Sequence, residues 1–286
     1  MIGSVDGMEI MVRGEPFHVV VEGPADAPAG PVLLLHGFPD SSALWRHQIP
    51  ELAAAGHRVI APDLRGFGAS PRPVEVAPYR MRSLIEDVLT ILDALEIGAT
   101  AVVGHDWGSS LGWALAAFVP ERVTRYAALA VGHPTGYVAS MRQRELSWYM
   151  LWFLFEGVAE EALPRDGWAL TREWLSSPLG EPVDIERYVA DLDRPGALTA
   201  ALNWYRANIR PESFGRPPQL PGVSCPVLGL WGEHDVACGE EQMRDSGAFV
   251  TGGWRYERVP GASHWIPLDA PDVVTEQLIG FLGERA

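Results

Sequence analysis

Residues 102–113 read VVGHDWGSSLGW, and this stretch decides the fold. Its centre, GHDWG at 104–108, has the G-x-S-x-G spacing with which a buried strand turns sharply into a helix and presents a nucleophilic serine. Here the central residue is Asp106, which could also be an ordinary helix N-cap, a position that aspartate favours. The flanking glycines favour a catalytic role, so we predict a strand, a tight turn and a helix with Asp106 as the nucleophile.

The chemistry of a carboxylate indicates which atom Asp106 would attack. With an ordinary pKa of about 3.9, a carboxyl group is ionised at neutral pH, whereas a serine needs a base to become nucleophilic. Attack on an ester or amide carbonyl would give a mixed anhydride, which is more reactive than the starting compound. Attack on a saturated carbon that bears a leaving group gives a stable alkyl ester. We therefore predict an sp³ carbon as the target.

Strand and helix patterns alternate on both sides of this turn. Short, nearly continuous apolar runs are typical of strands that are covered on both faces, and they occur at 31–37, 58–63, 100–106, 126–131 and 226–232. Helix-period segments lie between them, at 81–97 and 107–119. This alternation predicts an α/β fold with a mostly parallel sheet flanked by helices, and the opening MEIMVR and FHVVVEG predict an antiparallel edge.

The alternation stops between about residues 132 and 221, where the chain is rich in tryptophan and helical in pattern. Open α/β sheets bind ligands at the carboxyl ends of their strands, which an insertion at this point would cover. We predict a core formed by residues 1–132 and 215–286, with an inserted all-helical cap, or lid, at 133–214. Alternatively, the insertion lies on the surface without contributing to a site, but its aromatic content favours the wall of a pocket.

Whole-chain properties exclude several classes of function. The 286 residues carry a formal net charge of −15, which argues against a nucleic-acid or anionic-membrane partner. There is no lysine for Schiff-base chemistry, and two cysteines suit a reducing compartment. No apolar run reaches the length of a signal peptide or membrane span, so we expect a soluble, cytoplasmic protein. The sequence does not decide whether the protein forms a homo-oligomer.

Four short motifs each follow a predicted strand, and their order along the chain is informative. They are HGFP at 36–39, GHDWG at 104–108, GEHD at 232–235 and GASHW at 261–265. Nucleophile, then acid, then histidine is the chain order of α/β-hydrolase triads. With these motifs the chain resembles the α/β-hydrolase superfamily from end to end, which implies the eight-stranded α/β-hydrolase fold.

The resemblance implies a role for each member of the triad. After Asp106 has formed an ester, His264 would deprotonate a water that attacks the ester carbonyl. Asp235 would hold the imidazole in the right tautomer. An ordinary turn residue is the alternative for Asp235, but no carboxylate follows the strand at 126–131, where such an acid could also lie.

Other residues near these motifs are expected to bind the substrate. The backbone N–H groups of Phe38 and Trp107 would form the oxyanion hole, and the resemblance implies a cis peptide bond before Pro39. We also expect the side chains of Phe38, Trp107, Trp152 and Trp265 to contact the substrate.

The leaving group separates the two families with an aspartate nucleophile that the chain resembles. An epoxide oxygen leaves as an alkoxide, which needs acidic O–H donors such as tyrosine. NWYR at 203–206 is similar to the lid motif of soluble epoxide hydrolases, which assigns this role to Tyr205. The stretch SWYMLWFLFEGVAEEAL resembles the helix that supplies a second tyrosine, Tyr149, with Tyr137 as the fallback. Alternatively, these tyrosines only pack within an aromatic lid.

A haloalkane dehalogenase is the alternative enzyme. The indole of Trp107 could bind a halide, but Phe38 stands where dehalogenases commonly carry asparagine, and the arginines of the fluoroacetate type are absent after Asp106. A non-catalytic ligand receptor on the same fold is a minor alternative, against which the intact triad argues. We therefore predict an epoxide hydrolase for small apolar epoxides, with no metal or organic cofactor.

Overall fold

The computed structural model describes residues 7–214 and 218–284. Eight strands in this part of the chain form one sheet in the order β1-β2-β4-β3-β5-β6-β7-β8. The strands are β1 Met8–Val12, β2 Glu15–Glu22, β3 Pro31–Leu35, β4 Arg58–Pro62, β5 Thr100–His105, β6 Val123–Leu129, β7 Val227–Gly232 and β8 Trp254–Val259. Strand β2 pairs antiparallel with β1 and β4, and the other pairs are parallel. The predicted mostly parallel sheet with an antiparallel edge is confirmed.

The central strands are covered on both faces. In β3, Leu33 and Leu35 belong to one hydrophobic cluster, while Val32 and Leu34 belong to the cluster on the opposite face. This division follows from the two-residue period of a strand, which points successive side chains to opposite sides. Because both faces of the sheet are buried, the strand sequence is apolar at nearly every position and does not alternate between apolar and polar residues.

Helices cover both faces of the sheet. Helices α2 Met81–Ala94 and α3 Trp107–Phe118 contribute Leu84 and Leu111 to one cluster. Helices α1 Gln48–Ala54 and α13 Pro271–Leu282 contribute Ile49 and Leu278 to the other, beside the single turn α12 Ile266–Asp269. Helix α2 ends three residues before the predicted end at 97, because Glu96 adopts a positive φ of 59° and the Ile97 N–H bonds back to the Leu92 carbonyl.

Between β6 and β7 the described residues form helices and no ladder strand, as the insertion pattern predicts. These helices are α4 Pro134–Tyr137, α5 Met141–Leu146, α6 Trp148–Trp152, α7 Val158–Ala162, α8 Arg165–Leu175, α9 Ile185–Leu192 and α10 Ala197–Asn208, followed by a 3₁₀ turn at Pro211–Phe214. A single antiparallel bridge joins Ser177 to Gly180. Helix α11 Glu240–Arg244 then follows β7. The predicted domain boundaries at 132/133 and 214/215 stay predictions, and the second adjoins residues 215–217, which lie outside the described residues.

Polar contacts join these inserted helices to the sheet. From α10, the indole N–H of Trp204 donates to the Arg65 carbonyl at 2.8 Å. From α9, the Tyr188 hydroxyl donates to the buried carboxylate of Asp40 at 2.7 Å. The insertion therefore contacts the core at the carboxyl ends of the strands, where the predicted catalytic loops lie. Among the described residues, no helix combines the length and the apolar character needed to cross a membrane.

Candidate active site

Asp106 occupies the turn between β5 and α3 in a strained conformation. Its φ of 54° and ψ of −120° lie in a region that residues other than glycine rarely adopt. The turn is tight because a Cβ at Gly104 would lie 2.4 Å from the Gly108 carbonyl oxygen, and one at Gly108 would lie 2.1 Å from that of Leu35. The Asp106 side chain makes no capping hydrogen bond to α3. The N-cap alternative is therefore not supported.

The three predicted triad residues lie together. The Nε2 atom of His264 lies 3.6 Å from Asp106 Oδ2, and its Nδ1 atom lies 2.9 Å from Asp235 Oδ2. Asp235 has a fully buried side chain, and its Oδ1 accepts the backbone N–H groups of Ala237 and Cys238, both at 2.8 Å. The acid is thus held by its own loop, which leaves one oxygen for the imidazole.

The charges in this triad stabilise one another. Burial alone would lower the pKa of His264, but the charge of Asp235 and the hydrogen bonds with both carboxylates outweigh burial and hold that pKa well above 6.5. Burial would likewise raise the pKa of Asp106, yet the hydrogen bond and charge of His264 lower it. The free site therefore holds a carboxylate beside an imidazolium.

Backbone N–H groups contact the Asp106 carboxylate from the other side. The Phe38 N–H donates to Asp106 Oδ1 at 2.7 Å, and the Phe38–Pro39 peptide bond is cis, as the resemblance implies. A Cβ on Gly37 would lie 2.3 Å from the same oxygen, so this loop approaches the carboxylate as closely as a glycine allows. The Trp107 N–H also helps to lower the pKa of Asp106. Both predicted oxyanion donors therefore face the side chain that would carry the ester.

Two phenols from the inserted helices lie over this carboxylate. Tyr205 on α10 and Tyr149 on α6 are 2% and 4% exposed, and their ring centroids are 6.0 Å apart. Burial and nearby negative charge, including that of Asp106, raise the pKa of both hydroxyls well above 10, so both stay protonated. The Trp107 indole packs edge-on against the Tyr205 ring, with ring centroids 5.1 Å apart. The third tyrosine, Tyr137, has its hydroxyl 3.6 Å from the Cys238 sulfur.

Two cavities meet at Asp106 and Tyr205, which line both of them. The first measures about 310 Å³ and lies between the loops after β7 and β8 and helices α5, α6 and α8. Its lining includes Tyr149, His264 and the charged pair Arg142 and Glu145. The second measures about 290 Å³ and lies between α3, α4 and α10, with a mainly apolar lining.

The cavities separate the predicted substrate-binding residues into two groups. Phe38 and Trp265 line the first cavity, and Trp107 lines the second. Trp152 is not among the described residues that line either one, because its ring stacks on Trp148 at 5.9 Å, one helical turn away on α6. The geometry gives no support to a contact between Trp152 and the substrate.

Several residues without a sequence motif also border the site. Trp174 lines the first cavity and packs against Tyr149 with ring centroids 4.8 Å apart. The buried amide of Gln143 on α5 donates to the Ala237 carbonyl at 3.0 Å and accepts the Gly239 N–H at 2.8 Å. These side chains come from helices of the insertion, and nothing in their local sequence marks them.

One cluster near the triad has the composition of a metal site. Ligand atoms of Asp235, Cys238 and His264 all lie within 4.8 Å of one another. However, Asp235 Oδ2 already bonds to the His264 ring, and Oδ1 accepts two backbone N–H groups. We therefore assign this cluster to the triad rather than to a metal.

Two more histidines support the catalytic loops. The Nε2 of His105 lies 2.8 Å from the His264 carbonyl oxygen, and burial lowers its pKa to about 4. A carbonyl only accepts, so His105 is neutral with its proton on Nε2. The Nε2 of His36 accepts the Leu64 N–H at 2.9 Å. These bonds give both histidines structural roles.

Comparison with known proteins is consistent with this geometry. A sequence model of the alpha/beta hydrolase fold family matches residues 30–271. The AB hydrolase superfamily protein YfhM of Bacillus subtilis is 30% identical, over 97% of this chain and 99% of its own length. Epoxide hydrolase 3 of Xenopus tropicalis is 32% identical, over 95% of this chain and 76% of its own. A solved structure described among novel epoxide hydrolases from metagenomes of hot environments superimposes with a TM-score of 0.85 and 32% identity, over 99% of this chain and all of its own.

Proposed function

This chain belongs to the epoxide hydrolase family of the α/β-hydrolase superfamily, and from that premise we propose that it hydrolyses an epoxide to a vicinal diol through an ester on Asp106. One observation carries the proposal: an ionised, uncapped carboxylate faces two protonated phenols across the junction of two cavities. This arrangement suits displacement at a carbon whose leaving oxygen needs a proton.

In the first half-reaction, an Asp106 carboxylate oxygen bonds to a ring carbon while the carbon–oxygen bond of the ring breaks. The departing oxygen takes a proton from Tyr205 or Tyr149 and becomes the first hydroxyl. A phenol is ordinarily far more acidic than an alcohol, and ester formation removes the Asp106 charge, which is one cause of the raised Tyr205 pKa, so proton transfer to the alkoxide is favourable. The product is a hydroxyalkyl ester on Asp106 and one phenolate.

In the second half-reaction, the His264 imidazolium first gives its proton to the phenolate left by ring opening, which restores the phenol. The neutral imidazole then takes a proton from water, and the hydroxide attacks the ester carbonyl of Asp106. Esterification has removed the Asp106 charge, which is one cause of the raised His264 pKa, so the imidazole becomes a base when one is needed. The N–H groups of Phe38 and Trp107 stabilise the tetrahedral oxyanion until the acyl carbon–oxygen bond breaks. One water proton passes through His264 to the second hydroxyl of the diol, and the other passes from the newly formed Asp106 acid back to His264, which regenerates the starting site.

We also propose that residues 133–214 act as the cap over this site, with the core in residues 1–132 and 215–286. The support is that both phenols and about half of the residues that line the two cavities come from this segment. Dehalogenation is less well supported, because Phe38, whose backbone N–H contacts Asp106, has no side-chain donor for a halide.

The proposal is tested by incubating the wild-type protein with a panel of epoxides and haloalkanes and by measuring diol and free halide. We expect diol without halide release, and halide release alone would overturn the proposal. The ester is tested with His264→Gln, which lacks the base for the second half-reaction. Intact-mass spectrometry should then detect a stoichiometric adduct that maps to Asp106, and a variant that stays unmodified would contradict the two-step mechanism.

A further inference from the structure

Resting on the proposed function, we propose that the two cavities have separate tasks. The cavity lined by Ala114, Val138, Met150 and Ile209, the substrate arm, binds one extended apolar substituent of the epoxide. The cavity lined by Leu146 and His264, the water arm, delivers the hydrolytic water. The preferred substrates are then epoxides with a single long apolar chain, such as 1,2-epoxyalkanes.

The positions of the reacting groups support this division. Asp106 and Tyr205 border both arms, so the epoxide ring lies at the junction. His264 borders only the water arm. The water that it activates must lie between its Nε2 and the ester carbonyl of Asp106, which are on the same side of the junction.

The chemistry of the substrate arm fits an alkyl chain. Its walls are supplied by apolar side chains of α3, α6 and the ends of α4 and α10, and its volume is about 290 Å³. Moving one methylene from water into such surroundings is favourable by about 0.8 kcal/mol, which corresponds to about a fourfold change in an equilibrium or rate constant. A longer chain should therefore raise kcat/KM until the arm is full.

The water arm has a different character at its mouth. Arg142 and Glu145 line it with side chains that are 65% and 64% exposed, and their charged atoms are 3.9 Å apart. Charged, exposed side chains keep this end hydrated, so water reaches His264 along it. A bulky second substituent in this arm would displace that water after the ester has formed, and the ester would then persist.

Substrates of equal carbon number test the division directly. With 1,2-epoxyalkanes from propylene oxide to 1,2-epoxydecane, we expect kcat/KM to rise by about two- to fourfold per methylene before it levels off. With trans-5,6-epoxydecane, which must fill both arms, we expect kcat to be at least about tenfold lower than with 1,2-epoxydecane, and intact mass should show accumulated ester. No dependence on chain length, or an equal kcat for the two C10 epoxides, would overturn the inference.

Variants that narrow one arm sharpen the test. Ala114→Phe, and Met150→Trp if the first does not fold, should lower kcat/KM for 1,2-epoxydecane at least about tenfold and leave propylene oxide within about twofold. Leu146→Trp should leave the rate of ester formation unchanged and slow ester hydrolysis. Leu179→Trp, at an exposed position outside the lining of both arms, is the matched control. The same effect from both kinds of variant would contradict separate tasks.

Failure of the inference differs from failure of the proposed function. If the wild-type protein converts no epoxide in the panel, the proposed function fails and the inference with it. If it converts propylene oxide and 1,2-epoxydecane at equal kcat/KM, only the division of the cavities fails.

Discussion

The sheet edge and the inserted helices hold their functional groups in different ways. At the sheet edge, Asp106 is set by a strained turn and Asp235 by two N–H groups of its own loop. In the helices, Tyr205 and Tyr149 are positioned by ring packing against each other and against neighbours such as Phe38. Groups held by the backbone have few alternative positions, whereas packed rings can adjust. Substitutions at the sheet edge should therefore cause a severe loss of activity, and substitutions in the helices a graded one.

The sharpest test of this contrast is Asp106→Ala. Without the carboxylate no ester can form, and we expect diol production to fall by at least about 10⁴-fold. A thermal melt checks that the variant folds, since alanine must adopt the same positive φ. Residual activity within about a hundredfold of wild type would mean that the nucleophile lies elsewhere and that the contrast between the regions is wrong.

Removal of a phenol hydroxyl should cause the next largest loss of activity. Tyr205→Phe is expected to slow ester formation by about 10²-fold, Tyr149→Phe by less, and the double variant by more than either, because each phenol still donates when the other is lost. Single-turnover adduct formation measures this step. Tyr137→Phe is the matched control and should stay within about twofold of wild type. If all three single variants behaved alike, the assignment of the phenols would be wrong.

A smaller effect is expected where the two regions touch. Gln143 on α5 bridges the Ala237 carbonyl and the Gly239 N–H of the loop that holds Asp235. In Gln143→Leu that loop loses both bonds, so we expect ester hydrolysis to slow by about tenfold while ester formation is unchanged. The pKa of His264 should also fall, because Asp235 raises it, which moves the acid limb of the kcat profile to lower pH. An unchanged profile would leave Gln143 with a purely structural role.

The smallest catalytic effect is expected within the core, at a residue that lines neither cavity. The Asp63 carboxylate accepts the N–H groups of Ser42 and Ala69, and its Oδ2 lies 3.1 Å from His18 Nδ1. Burial favours the neutral acid, but the nearby His18 imidazole and these N–H groups outweigh it and lower the Asp63 pKa. The Asp63 carboxylate beside His18 outweighs burial and raises the pKa of His18.

The two pKa shifts make the stability of the protein depend on pH in opposite directions. The Asp63 contribution to stability is present above its unfolded pKa of about 3.9 and is lost as the pH falls through the lowered folded pKa. The His18 contribution is present below about 6.5 and is lost as the pH rises through the raised folded pKa. Urea unfolding of Asp63→Asn should therefore show a loss of about 1–3 kcal/mol that is largest between these limits. A loss that did not vary with pH would contradict the ion pair, and diol formation by the folded variant should match wild type.

Local sequence was enough to predict the core and its reacting groups. The glycines around Asp106 predict the turn because no other residue fits there, and the chain order of Asp106, Asp235 and His264 predicts their meeting because parallel strands end at one edge. The predicted superfamily and fold class are confirmed by the sheet and by the family match. The end of α2 was predicted three residues late, because the apolar period continues through Ile97 after the helix has ended.

Only the tertiary structure decided which side chains of the inserted helices reach the site. Helix α6 has five residues, too few for a periodic pattern to define its inner face, and so the sequence did not distinguish the inward Tyr149 from Trp152, which stacks on Trp148. Trp174 and Gln143 carry no motif, because their contacts are with residues distant in the chain. The physical reason is the same in each case: sequence specifies what backbone geometry demands locally, while the direction of a packed side chain depends on its neighbours in space.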